Sequence, residues 1–218
     1  MLDHLRHIAV EGAIGAGKST LARRLAARLN AQLLLERPED NPFLARFYAD
    51  ADPAQPNRYA MQTQLFFLFQ RIEQYRELAQ PGMFTPRIVS DFMFAKDALF
   101  ARLTLSDDEF RLYRLIHAEM APKLPQPDLV LWLQAGPATL AQRIQRRGLP
   151  MEQGIEAGYL QRLCDAYAAY FEKESALPVL AIDTEGFNPV DRPEDFERLL
   201  ERLASFVGPR EAFAPAAT

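Results

Sequence analysis

The chain has 218 residues, of which 49% are hydrophobic and 25% charged, with a formal net charge of −4. This is the composition of a globular protein with a substantial core, and it excludes a polybasic nucleic-acid surface. One cysteine and three histidines exclude an internal disulfide framework and a Cys/His zinc cluster, and no apolar run approaches the ~20 residues of a membrane span.

The N-terminus, MLDHLRHIAVEG, has charges where a secretory leader needs an apolar centre, so the expected location is the cytoplasm. The first strand is expected at HIAVE (7–11). It runs into GAIGAGKST (12–20), which matches G-x-x-x-x-G-K-[ST] at Gly12, Gly17, Lys18 and Ser19. A helix over 18–29 follows, so the motif has the strand before it and the helix after it that it requires. In such a loop, here Gly12, Ala13, Gly15, Ala16 and Gly17 up to Thr20, backbone N–H groups curl around phosphate oxygens. The helix N-terminus adds its partial positive charge. Lys18 reaches the β- and γ-phosphates and Ser19 offers a hydroxyl to Mg²⁺, so ATP and Mg²⁺ are the expected ligands.

The second strand, QLLLE (32–36), closes on Glu36, and the third, RIVSD (87–91), closes on Asp91. Ligands of parallel α/β sheets collect at the carboxyl ends of strands, so both acids are expected to face the phosphate loop. Glu36 is placed to orient an attacking hydroxyl or take its proton, and Asp91 to join Ser19 around the metal. Either acid taken alone also fits a solvated carboxylate or a helix cap.

Between these strands, ADADPAQPN (49–57) reads as a mobile loop. RYAMQTQLFFLFQRIEQYRELA predicts a helix over 57–80 that is apolar on more than one face, a candidate dimer interface. Within it Gln64 is flanked by apolar residues and needs a buried partner. Arg71 lies seven residues on. In VSDFMFAKD (89–97), Asp97 also sits in apolar surroundings, where an ionised carboxylate needs an opposite charge or a ligand.

Further helices are expected at 93–103, 106–121, 137–147, 156–174 and 193–206, with strands at LVLWL (129–133) and PVLAI (178–182). QRIQRRG places Arg143, Arg146 and Arg147 on one side of a helix. Such cations suit a helix C-terminus. Their position after the fourth strand favours a lid, at about 143–155, that closes arginines over a transferring phosphoryl group. Cys164, in a helical pattern, reads as a small buried hydrophobe. The expected fold is α/β, a P-loop NTPase three-layer sandwich with a five-stranded parallel sheet flanked by helices and a helical lid. It forms a single domain over 1–208, with a disordered tail at 209–218.

These pieces resemble the deoxynucleoside kinases of the deoxycytidine/deoxyguanosine/deoxyadenosine kinase type. The resemblance spans about 1–205 and rests on EGAIGAGKST, LERPEDNPFL, RYAMQTQLFFLFQR, VSDFMFAKD, RIQRRG with MEQGI, and YLQRL. It implies that Glu36 takes the proton of a nucleoside 5′-hydroxyl and that Gln64, Arg71 and Asp97 read the base. It further implies Tyr48 at the 3′-hydroxyl, Asp91 near Mg²⁺, and Arg143 and Arg147 in the lid. Asp183, Glu185 and Phe187 fall in a segment that resembles the loop around the ATP adenine. The family also implies a homodimer.

The sequence departs from the family in three places. The family's Asp/Glu-Arg-Ser motif reads Asp91-Phe92-Met93, which leaves Arg37, beside Glu36, as a candidate replacement for the missing arginine. Leu149 stands where a third lid arginine is common, and Gly158 where a glutamate often meets the 3′-hydroxyl.

An ionised aspartate only accepts hydrogen bonds, whereas glutamine donates and accepts. Asp97 therefore favours deoxyadenosine and deoxyguanosine, then deoxycytidine, over thymidine, whose base presents a carbonyl and a methyl instead of an amino group. Two other readings stay open. A nucleoside monophosphate kinase would need further arginines, for which Arg46, Arg58 and Arg87 are candidates. A non-catalytic ATP-binding switch or regulatory protein would account for Phe92.

Overall fold

Runs of residues apolar on both faces suit strands covered by helices on both sides, and they build one parallel sheet. The structure, a computed structural model, describes residues 5–50, 57–78, 87–120 and 126–215. Its strands are β1 (His7–Gly12), β2 (Gln32–Leu34), β3 (Ile88–Ser90), β4 (Leu129–Gln134), β5 (Val179–Asp183) and β6 (Arg210–Phe213). They lie in the order β2-β3-β1-β4-β5-β6. All neighbouring pairs are parallel. The helices are α1 (Lys18–Leu29), α2 (Leu44–Ala49), α3 (Ala60–Leu78), α4 (Lys96–Thr104), α5 (Asp107–Met120), α6 (Pro137–Arg147), α7 (Ala157–Ala169) and α8 (Pro193–Ala204).

The sheet has six strands where five were expected, and the sixth lies in the segment expected to be a disordered tail. Two anchors hold it. Phe213 packs edge-on against Phe187 at 5.2 Å. Arg210 donates to the carbonyls of Glu172 and Ser175 at 2.9 and 3.0 Å. The expected helix over 156–174 is α7 followed by a π-helical turn at Tyr170–Glu174. Strands β2 and β3 stop short of the expected ends, so Glu36 and Asp91 stand just beyond them. Most of the expected loop at 49–57 and the end of the helix expected over 57–80 lie outside the described residues.

One apolar core, with Ile8, Val10, Leu131, Leu163 and Leu180, joins the sheet to α1, α6, α7 and α8. A second, with Leu68, Ile72, Tyr75, Phe92 and Tyr113, lies among α2 to α5. Helix α3 carries apolar residues on more than one face: Leu68 and Ile72 are buried, while Phe69 is 46% exposed. After β1 the chain leaves to form β2 and returns as β3 beside β1, then crosses to β4 on its other side. That reversal opens a crevice at the carboxyl end of β1. Gly12 closes the strand there with φ 146, and a Cβ on it would lie 2.5 Å from the Leu133 carbonyl oxygen, so the close approach to β4 needs glycine.

Candidate active site

A cavity of about 850 Å³ fills the crevice, and its walls include Lys18, Ser19, Glu36, Arg143, Arg147 and Phe187. Gly15, Ala16, Gly17 and Thr20 also line it, so the phosphate motif faces the space as expected. Lys18 is turned back on its own loop and donates to the Ala13 carbonyl at 3.0 Å. Burial, reinforced by repulsion from Lys96, lowers its ammonium to about 8. The Ser19 hydroxyl donates to one oxygen of Asp91 at 2.5 Å, and the other oxygen accepts the Glu36 N–H at 2.7 Å. Asp91 thus ties the start of α1 to the segment after β2.

Ser19 and Asp91 present two hard oxygens beside the phosphate loop, which suits Mg²⁺. Among the described residues no group of three or more His, Cys, Asp or Glu is gathered to hold a metal.

Behind the cavity lies a buried array of ions. Arg71 donates through Nη2 to Glu36 Oε1 and through Nη1 to Asp97 Oδ1. Lys96 Nζ donates to Glu36 Oε2 at 2.7 Å. The two acids share one guanidinium but are pushed apart. Burial would raise Glu36, yet Arg71 and Lys96 outweigh it and hold the carboxyl at about 2. Burial pushes Asp97 up to about 7, with Arg71 opposing. Paired carboxyls displaced in opposite directions mark a site where proton position matters. Among the described residues, Asp97 Oδ2, Arg71 Nε and the Tyr113 hydroxyl have no hydrogen-bond partner. Buried polar atoms left over in this way point to a polar ligand.

The structure brings Glu36, Arg71 and Asp97 together. Gln64 is buried on α3, seven residues before Arg71. Tyr48 is half-buried on α2, which packs on the 3₁₀ turn Pro150–Glu152, and it does not line the cavity. The three arginines expected in a lid line the cavity, and each is held by the protein. Arg143 donates to the Thr184 hydroxyl and carbonyl at 3.0 and 2.5 Å. Arg147 donates to Glu152 at 3.0 and 2.5 Å, and Arg146 to Asp191 at 3.2 Å. Of the residues expected around an adenine, Phe187 lines this cavity. Asp183 and Glu185 instead line a second one of about 500 Å³ beside Cys164. Glu185 accepts from the Gly136 N–H and the Thr139 hydroxyl, which anchors the start of α6. The Cys164 thiol packs 3.6 Å from the Ala135 carbonyl.

Arg37, the candidate replacement for the missing arginine, lines the cavity beside Glu36. Its side chain turns toward Asp40 at 3.6 Å and is half-exposed. Lys96, which sequence reasoning passed over, makes the contact to Glu36. Gln70 and Gln74 were also missed. They donate to the carbonyls of Arg37 and Leu35 at 3.1 and 2.7 Å and clamp the segment that carries Glu36. Their spacing of four on one helix, beside Arg71, was the available signal. Glu11 was missed as well. It is fully buried at the end of β1 and accepts from Gly12 N–H, Met93 N–H and the Tyr167 hydroxyl at 3.1, 2.8 and 2.8 Å.

The arginines that a second phosphate would need do not converge on the cavity. Arg46 lies over the Tyr59 ring and Arg58 is paired with Asp50. Arg87 donates to the Leu5 carbonyl at the amino end of β3.

A family model described as deoxynucleoside kinase matches residues 8–208. The chain is 31% identical over 205 residues to a deoxyguanosine kinase of Bacillus subtilis (strain 168), covering 92% of this chain and 97% of that one. It is 32% identical over 199 residues to a deoxyadenosine kinase of Dictyostelium discoideum, covering 89% and 78%. Among solved structures, a deoxyadenosine kinase from M. mycoides with bound dATP matches with a TM-score of 0.78, at 22% identity, over 92% of this chain and all of that one. At that identity the likeness establishes a shared fold.

Proposed function

The chain belongs to the deoxynucleoside kinase family, and from that premise we propose that it transfers the γ-phosphoryl group of ATP to the 5′-hydroxyl of deoxyadenosine or deoxyguanosine. Deoxycytidine ranks behind these as an acceptor. The observation that carries the reading is the shared guanidinium. Arg71 joins Glu36, at the cavity wall, to Asp97, whose second oxygen has no partner among the described residues. One end of this array suits a hydroxyl and the other suits the N–H donors of a purine.

The backbone N–H groups of 12–20 and Lys18, released from Ala13, hold the β- and γ-phosphates. Ser19 and Asp91 would hold Mg²⁺, which would neutralise phosphate charge when bound. Glu36 accepts a hydrogen bond from the 5′-hydroxyl and then its proton, as the oxygen–phosphorus bond forms and the β–γ bridge breaks to leave ADP. A carboxyl held at about 2 is a weak base. In a loose transition state the hydroxyl gives up its proton late, so position counts more than basicity. Arg143 and Arg147 exchange Thr184 and Glu152 for the transferring group and spread its charge. Arg71 and Gln64 complete the base site with Asp97, Tyr48 meets the sugar, and Phe187 packs near the adenine of ATP.

Label from the γ-phosphate of ATP should appear in a deoxynucleoside 5′-monophosphate. Label passing only to deoxynucleoside monophosphates would assign a nucleotide kinase instead, a reading disfavoured by the scattered Arg46, Arg58 and Arg87. Chelation of divalent cations should abolish transfer, and Asp91→Asn should raise the Mg²⁺ concentration needed for half-maximal rate. An unchanged requirement would take Asp91 out of the metal site.

Asp97→Asn should lower kcat/KM for deoxyadenosine and deoxyguanosine by about 10–10²-fold, the worth of a hydrogen bond to a charged group, with ATP binding unchanged. The wild-type KM for these acceptors should rise as pH falls below about 7, because the Asp97 carboxyl is then protonated and loses its acceptor character. The Asn variant should lack that dependence. Equal kcat/KM in variant and wild type would remove Asp97 from the base site.

Among the described residues no helix is long and apolar enough to cross a membrane. The proposed place of action is the cytoplasm. A homodimer is proposed to cover the exposed Phe69 on α3 and Leu112 and Leu115 on α5.

A further inference from the structure

Lys96 is accounted for neither by the phosphate motif nor by the base-reading residues. It is 5% exposed, and a lysine is rarely buried so deeply unless it is paired. Its place works against its own helix. Lys96 opens α4, and the first turn of a helix disfavours a cation. Local helix stability therefore does not explain it. Its contacts do: Nζ lies 2.7 Å from Glu36 Oε2, and the ammonium stands 5.4 Å from the centre of the Phe100 ring. The Met93 N–H, held by Glu11 at 2.8 Å, fixes the turn that leads into it.

Phe92 explains why the cation comes from this position. Its ring is fully buried, edge-on to Tyr75 at 5.7 Å, with the Arg71 guanidinium 5.5 Å from its centre. The residue after Asp91 thus points into the core beneath α3. A charge there would be buried beside another cation. Lys96, four residues later, reaches Glu36 from the other side and is close enough to Lys18 for the two ammonium groups to repel.

We infer that Lys96 supplies the cation that the chain lacks at Phe92, locking the Glu36 carboxylate toward the acceptor hydroxyl and keeping a positive charge close to Lys18 of the phosphate loop. The inference rests on the reading of Glu36 as the group that receives the acceptor. Lys96 undergoes no bond change in the reaction. It is a positioning residue.

The test compares wild type, Lys96→Met, Lys96→Gln and Lys96→Arg with Mg·ATP and the best deoxynucleoside acceptor. In the Met variant kcat should fall by about 10²–10³-fold, the cost of removing one fixed electrostatic donor, with little change in either KM. Lys96→Gln keeps a hydrogen-bond donor and guards against a Met variant that fails to fold. It should lose kcat as well, because it lacks the charge. Lys96→Arg should recover most of the rate. Wild-type kcat in a folded neutral variant, a loss confined to KM, or an Arg variant as slow as the neutral ones while ATP still binds would overturn the role of Lys96. If wild type itself phosphorylates no deoxynucleoside, the functional reading fails, and the inference with it, before any variant is compared.

Discussion

Glu36→Gln is expected to lower kcat by about 10²–10⁴-fold, the usual contribution of a positioned proton acceptor, and to leave the KM for ATP unchanged. Glutamine keeps the size and the polar contacts of the side chain but cannot take the hydroxyl proton. It also removes the carboxylate that accepts from buried Lys96 Nζ. Single-turnover measurement of phosphate transfer, with a melting curve as control, separates this chemical loss from a loss of fold. A folded variant with near-normal kcat would contradict the role of Glu36.

The second large effect is on stability. Arg71→Leu should destabilise the protein by about 3–5 kcal/mol at neutral pH, because it leaves two buried carboxylates without the guanidinium they share. The sign of the pH dependence follows from linkage. In wild type, Glu36 is held at about 2, below its ordinary value of 4.5. Its contribution is therefore fully present above 4.5 and is lost as pH falls toward 2. Without Arg71, burial raises Asp97 further, while Lys96 still pairs with Glu36. The folded variant then binds more protons than its unfolded chain, and its stability recovers as pH falls from neutral toward 4.5. Urea unfolding at pH 7 and pH 5 should show a large deficit that narrows at the lower pH. Variant stability equal to wild type at pH 7 would mean that the three ions are not coupled.

The phosphate loop was legible because all its requirements are local: a strand, glycines at fixed spacing and a lysine at a helix start. The core strands were legible because burial on both faces leaves near-continuous apolar runs. Asp97 and Gln64 announced themselves as polar groups in apolar surroundings, and the resemblance supplied their roles. The partners of these groups were harder to read. Lys96 and Glu36 lie 60 positions apart, and only the pairing of β2, β3 and β1 brings them within 2.7 Å. Arg37 looked suitable because it adjoins Glu36 and it lines the same cavity, yet its guanidinium turns to Asp40, three residues on. Strand β6 was missed because its four residues carry little apolar signal and depend on β5 for their ladder. Glu185 could equally face a nucleotide or anchor a helix, and its distance from Gly136 in sequence concealed the second.

The acceptor profile tests the central claim most directly: kcat/KM for deoxyadenosine, deoxyguanosine, deoxycytidine and thymidine, measured in parallel with Mg·ATP. The array of Glu36, Arg71 and Asp97 predicts efficient phosphorylation of one or both purine deoxynucleosides, with thymidine the poorest of the four. Thymidine used as well as the purines would contradict the assignment of Asp97 to the base, and transfer to none of the four would contradict the kinase reading itself.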